Sequence, residues 1–200
     1  AGAIAEPRDE VGLTAPKTVV AEVQKSWQDS PARRADTWPQ GDHITWTFPA
    51  TDRIEGSELT LEWFDGEFYP PEDIRKMTGL ENYPAESAML LGTNGAMLLQ
   101  HGSGTLLYPK EKFRKIDRPK LAPRDHYHHF VNACLGGEKT ESHFMQTGPM
   151  AEAILLGTVA IRVPGQTLQW DAAAMRIPNC PDAERLLRRT YRKGWEVQGL

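Results

Sequence analysis

Apolar and polar positions alternate with period two through the first half of the chain and take up a helical period in its last third. Val19, Ala21 and Val23 alternate with Val20 and Glu22, which predicts a strand over 18–24. Ile44, Trp46 and Phe48 alternate with His43, Thr45 and Thr47, a second strand over 43–48. Leu59, Leu61 and Trp63 alternate with Glu58, Thr60 and Glu62, a third over 57–63. Period two leaves one face apolar and one face wet, as in a sheet covered on one side. Met89–Leu91 and Ala96–Gln100 flank Thr93-Asn94-Gly95, a hairpin signal because Asn-Gly tolerates the positive φ of a tight turn. Thr105–Tyr108 reads as a further short strand. The intervening segments are broken by turn residues: Ser30-Pro31, Trp38-Pro39 and Gly41 make 25–42 a loop. Pro70, Pro71, Gly79 and Pro84 make 66–85 a long excursion with one short helical turn.

After residue 125 the period changes. Tyr127, Phe130, Val131 and Cys134 recur at helical spacing, and Gly136-Gly137 stops the helix. From 148 to 163 nearly every position is apolar or small, which predicts a helix buried on most sides. Thr167–Trp170 returns to strand. Pro181-Asp182 opens a final helix with Ala183, Leu186, Leu187 and Tyr191 inward. Arg185, Arg188, Arg189, Arg192 and Lys193 crowd its outer face and C-terminal end. Strands first and helices afterwards, without alternation, predict an α+β fold: an open, mainly antiparallel sheet with helices packed on one face. Residues 1–12 read as a tail or linker remnant, and 13–200 as one domain.

Composition narrows the function classes. The net charge is −4 and no long basic block appears, so neither nucleic acid nor an anionic membrane is an expected partner. The most apolar stretch, 150–163, carries Glu152 and Arg162 and is too short to span a bilayer. The first residues lack a basic start and an apolar core, so no leader is visible and the cytoplasm is the default compartment. Cys134 and Cys180 are isolated and are expected to be buried free thiols.

Three residues stand out as candidate contacts to a ligand. His126 and His129 lie on the same flank of the 125–135 helix, His126 roughly 90° from the centre of its apolar stripe. His128 falls on the opposite flank. Neutral imidazole suits proton transfer and hydrogen bonding near neutral pH. A pair of histidines with no committed third ligand is a weak zinc signal, so no metal is expected. Glu152, alone in an apolar helix, needs a partner: Arg162 from the same helix, or a substrate hydroxyl. GSGTLL at 102–107 imitates a dinucleotide loop but runs into a strand rather than a helix. The six tryptophans are explained by core packing before sugar stacking.

Four segments in order carry a resemblance: HYHHFVNAC, GPMAEAILLGTVAIR, QWD, and the ending with Ala183, Leu187, Tyr191, Arg192 and Trp195. From about Leu13 to Trp195 the chain resembles the C-terminal domain of the Gfo/Idh/MocA family, the glucose–fructose oxidoreductase and inositol dehydrogenase group, in its bacterial form. Asn132 stands where that family has an acid. The resemblance implies the substrate-side domain of an NAD(P)-dependent sugar or polyol oxidoreductase, with homo-oligomers built through the sheet. It also implies a separate Rossmann domain for NAD(P), carrying the catalytic lysine, of which these 200 residues show no motif. No cofactor and no catalytic residue is therefore expected in this chain, and His126, His129 and Glu152 are its expected substrate contacts. By the resemblance, export to the periplasm is an alternative to the cytoplasm. Other readings are a non-catalytic sugar-binding or oligomerisation module, part of an NAD-dependent glycoside hydrolase, and metal-assisted isomerisation through His126 and His129.

Overall fold

A computed structural model of the chain describes residues 15–140 and 142–198. The elements run β1 (Thr18–Val23), α1 (Lys25–Gln28), α2 (Pro31–Asp36), β2 (Asp42–Pro49), β3 (Glu58–Phe64), α3 (Glu72–Met77), β4 (Ser87–Gly92) and β5 (Gly95–Gln100). Then follow β6 (Leu106–Tyr108), α4 (Lys110–Phe113), α5 (His126–Cys134), α6 (Phe144–Arg162), β7 (Leu168–Gln169) and α7 (Pro181–Glu184). They fall into two compact units. One holds the described residues up to Phe68 and from His128 onward; the other holds Tyr69–Tyr127. The fold is α+β with two open antiparallel sheets. The expected tail at 1–12 lies outside the described residues.

The first unit is built on a four-stranded sheet in the order β3-β2-β1-β7. Register places Val19 opposite Trp46 and Ala21 opposite Ile44, and on the other side Trp63 opposite Ile44 and Leu61 opposite Trp46. All these side chains share one face because cross-strand pairs point the same way. The α6 helix covers that face over β1 and β2, burying Leu156, Gly157, Val159, Ala160 and Ile161. Contact is close because Gly157 has no side chain. A Cβ there would lie 2.4 Å from Trp46 Cζ2 and 3.3 Å from Ile44 Cδ1. The Trp46 indole donates to the Ala153 carbonyl at 2.8 Å, which fixes the ring under the helix. Trp27, Leu168, Ile177, Cys180 and Ala183 complete this core.

Residues 25–42 are not all loop: α1 and α2 form within them. Ser30 caps α2 by accepting the Arg33 N–H, Pro31 opens its first turn, and Trp27 is fully buried with its indole donating to Thr37 Oγ1. Ser-Pro, taken as a turn signal, is here a helix start. The α6 helix is not buried on most sides. One sheet offers one face to bury against, so Met150, Ile154 and Leu155 stay exposed. It also begins earlier than expected, and its 19 residues are long and apolar enough to cross a membrane by length and composition. Its C-terminal half is nevertheless the lid of the sheet's core.

The final helix stops at Glu184 instead of running to Tyr191. Ala183 is buried and Leu187 packs against the core, but Leu186 is exposed. Glu184 turns back to accept the Ile177 N–H, and no acid before Glu196 follows it to offset Arg185, Arg188 and Arg189. Like charges at helical spacing oppose extension. Cys180 is buried as expected, whereas Cys134 is exposed because the apolar stripe of α5 is left uncovered.

In the second unit, β4, β5 and β6 make an antiparallel meander with Ala96, Leu98 and Tyr108 at its centre. The hairpin forms at Thr93-Asn94, closed by the Gly92–Gly95 pair. The positive φ falls on Gly95, at +148°, where a Cβ would come within 2.3 Å of the Tyr108 carbonyl oxygen. Glycine is required there by close approach as well as by conformation.

Candidate functional site

His126 opens α5, exposed, with its ring edge-to-face against Tyr127 at 5.5 Å between centroids. One turn on, His129 is half-buried, and its Nε2 is enclosed without a hydrogen-bond partner. His129 lines a shallow surface cavity of about 470 Å³ with Asn132, Leu135, Gly137 and Glu138. The cavity exists because α5 ends there. Gly136 takes φ +90°, and the Gly137 N–H folds back to the Asn132 carbonyl at 2.9 Å, so the chain turns beneath the exposed end of the helix. An imidazole, an amide and a carboxylate thus surround one apolar residue.

Glu152 lies outside that lining and is tied elsewhere. The Trp170 indole donates to Glu152 Oε1 at 2.7 Å, joining α6 to the end of β7. The alternative partner, Arg162, sits ten positions along the same helix. At 1.5 Å rise per residue that is about 15 Å away, beyond the reach of an ion pair. The Arg162 guanidinium instead donates to the Arg34 and Thr37 carbonyls and stacks 3.8 Å from the centroid of Trp38.

Two carboxylates were not among the expected ligand contacts: Asp171, read only as part of the QWD segment, and Asp42. Asp171 follows Trp170 and accepts the Ala174 N–H at 3.0 Å, while its backbone exchanges hydrogen bonds with Arg176. The Ala174 N–H first, then the Arg176 side chain, hold its pKa below the ordinary carboxylate range. The Trp-Asp pair is therefore a clamp: the indole secures α6 and the carboxylate closes the following turn. Asp42 is the second. It is buried among β1, β2 and β3, with Oδ1 lacking any donor. Burial, and then the nearby Asp65 carboxylate, raise its pKa, while His43 lowers it. Asp42 hides in the sequence because it sits at an inward position of a strand, a place that marks apolar residues; its alternation with Ile44, Trp46 and Phe48 was the available signal.

Among the described residues, no three His, Cys, Asp or Glu side chains converge to hold a metal ion. The 102–107 segment connects β5 to β6: Gly102 turns at φ +66° and the chain continues as strand, so no helix N-terminus faces it. No family model, curated protein or solved structure matches the chain.

Proposed function

We propose that this chain is the substrate-side domain of an NAD(P)-dependent sugar or polyol oxidoreductase of the Gfo/Idh/MocA kind, inactive by itself and assembled into homo-oligomers through its sheet. The observation that carries the reading is the 2.7 Å bond between Glu152 and Trp170. These residues belong to two separate segments of the resemblance, GPMAEA and QWD, and they meet at the β7 edge of an antiparallel sheet covered by one helix. The α5 cavity adds chemistry of the right kind. A sugar presents hydroxyls that donate and accept, together with an apolar ring face. His129 and Asn132 can do both, Glu138 accepts, and Leu135 supplies apolar contact.

In this reading His129, with Asn132 and Glu138, contacts the substrate, His126 flanks the approach, and Glu152 positions α6 against the sheet. NAD(P) and the proton-transferring lysine belong to the partner domain.

The test is titration of the labelled chain with a panel of hexoses and polyols, followed by NMR, alongside a dehydrogenase assay with NAD(P). Saturable shifts at His129, Asn132 and Glu138 without any reduction of NAD(P) are expected. Turnover by the chain alone would remove the division of labour. A panel that shifts none of these residues would remove the sugar reading.

A further inference from the structure

The outer edge of the four-stranded sheet is β3, and the structure assigns it a partner: we propose that β3 pairs antiparallel with β3 of a second copy, about a two-fold axis at Leu61. The backbone is set up for it. The bonds from Asp65 N to Asp42 O and from Ala50 N to Ser57 O bracket the β2–β3 ladder. With the register between them, they show that Leu59, Leu61 and Trp63 bond to β2. Glu58, Thr60, Glu62 and Phe64 therefore point their N–H and C=O groups away from the sheet.

The side chains favour the same pairing. Leu59, Leu61 and Trp63 share the face that carries α6, yet they are 45, 49 and 55% exposed because α6 lies over β1 and β2. Helix geometry puts Met150 and Ile154 on the flank of α6 opposite Glu152. Glu152 bonds to the β7 side, so these two exposed residues look toward β3. Edge strands are normally guarded by charge. Here both acidic residues of β3 are occupied within the chain: Glu58 with Lys17 at 2.6 Å and Glu62 with His43 at 2.9 Å.

Charge and overlap together select the register, because centring on Leu59 or Trp63 also keeps carboxylates apart but pairs only part of β3. Centred on Leu61, the pairing sets Leu59 opposite the partner's Trp63, Thr60 opposite the partner's Glu62, and Glu58 opposite the partner's Phe64. No carboxylate faces a carboxylate, and about eight backbone hydrogen bonds form. Moving the centre to Thr60 sets Glu62 against the partner's Glu58. Moving it to Glu62 sets that residue against itself. Like charges directly opposed are disfavoured on a sheet. Leu61 then meets the partner's Leu61 in a non-hydrogen-bonded pair, where Cα atoms come within about 4.5 Å.

This deepens the oligomer part of the proposed function and is independent of its chemistry. The experiment measures mass in solution by light scattering and cross-links Leu61→Cys in a Cys134→Ser background under mild oxidation. A dimer is expected, with rapid disulfide formation, since the Cα separation suits one. Thr60→Pro removes an outward N–H while leaving the β2 ladder whole, and should weaken the dimer more than about tenfold. Leu61→Lys, at an exposed position, should do the same by placing two cations at the axis. Tryptophan fluorescence confirms that each variant is folded. A monomer at about 100 μM refutes any stable self-association. A dimer that neither variant weakens, or that leaves Leu61→Cys uncross-linked, refutes the edge pairing while sparing an oligomer through the sheet face.

Discussion

Replacing Gly157 by alanine tests the contact on which the larger unit rests. In an exposed helix interior the change would stabilise by about 1 kcal/mol, because alanine loses less backbone freedom. Here the added methyl would lie 2.4 Å from Trp46 Cζ2, about 1 Å inside contact distance. The ring cannot simply yield: it is 6% exposed, and its indole N–H is bonded to the Ala153 carbonyl of the same helix. Either α6 lifts or the indole bond breaks. Overpacking of this kind costs about 1–3 kcal/mol, and a lost buried hydrogen bond adds about 1 kcal/mol. Subtracting the helix gain leaves a destabilisation of about 1–3 kcal/mol. The assay is urea unfolding followed by tryptophan fluorescence. All six tryptophans lie in the unit containing α6, so the signal reports that unit alone. Adding Trp46→Phe, which withdraws the clashing ring edge, should give a favourable coupling in a double-mutant cycle. If Gly157→Ala stabilises the unit, α6 does not rest on Trp46 and the packing described is wrong.

Other consequences can be checked in the same way. Asp42 has a folded pKa above its unfolded one, so between the two values the folded chain holds a proton that the unfolded chain has released. Its contribution is intact below the ordinary carboxylate pKa near 3.8 and is lost as pH rises through the raised value. Asp42→Asn should therefore match the parent in acid and exceed its stability by about 1 kcal/mol at neutral pH; a constant difference across pH would contradict the burial argument. Trp170→Phe removes a donor from Glu152 and should cost about 1–2 kcal/mol in thermal unfolding by circular dichroism, an expectation that fails if the melting curve is unchanged. Ser30→Ala should cost about 1 kcal/mol through loss of the α2 cap, and Ser30→Asp should preserve stability if capping is the cause.

Strand positions were legible because period two is a local signal: β1, β2 and β3 fall within a residue or two of their alternations, and the open antiparallel α+β architecture followed from them. The α5 helix and its glycine stop were legible for the same reason. The misreadings share a physical origin. Ser-Pro can turn a chain or start a helix, and the buried Trp27 that stabilises the second outcome declares itself only in three dimensions. An apolar run such as 148–163 records what a helix could bury, whereas one covering sheet decides what it does bury.

For the candidate site the division is sharper. Helical position and the resemblance named His126, His129 and Glu152 as expected substrate contacts. Only the folded chain could say that Glu152 is held by Trp170, 18 positions away, and that Arg162 lies too far along the helix to reach it. The sequence by itself determined which residues are apolar on which face, since that is set by the repeat of strand and helix. The tertiary structure decided which of those faces are covered, because coverage depends on what lies across the sheet. That is why β2 is buried and the equally patterned β3 is not.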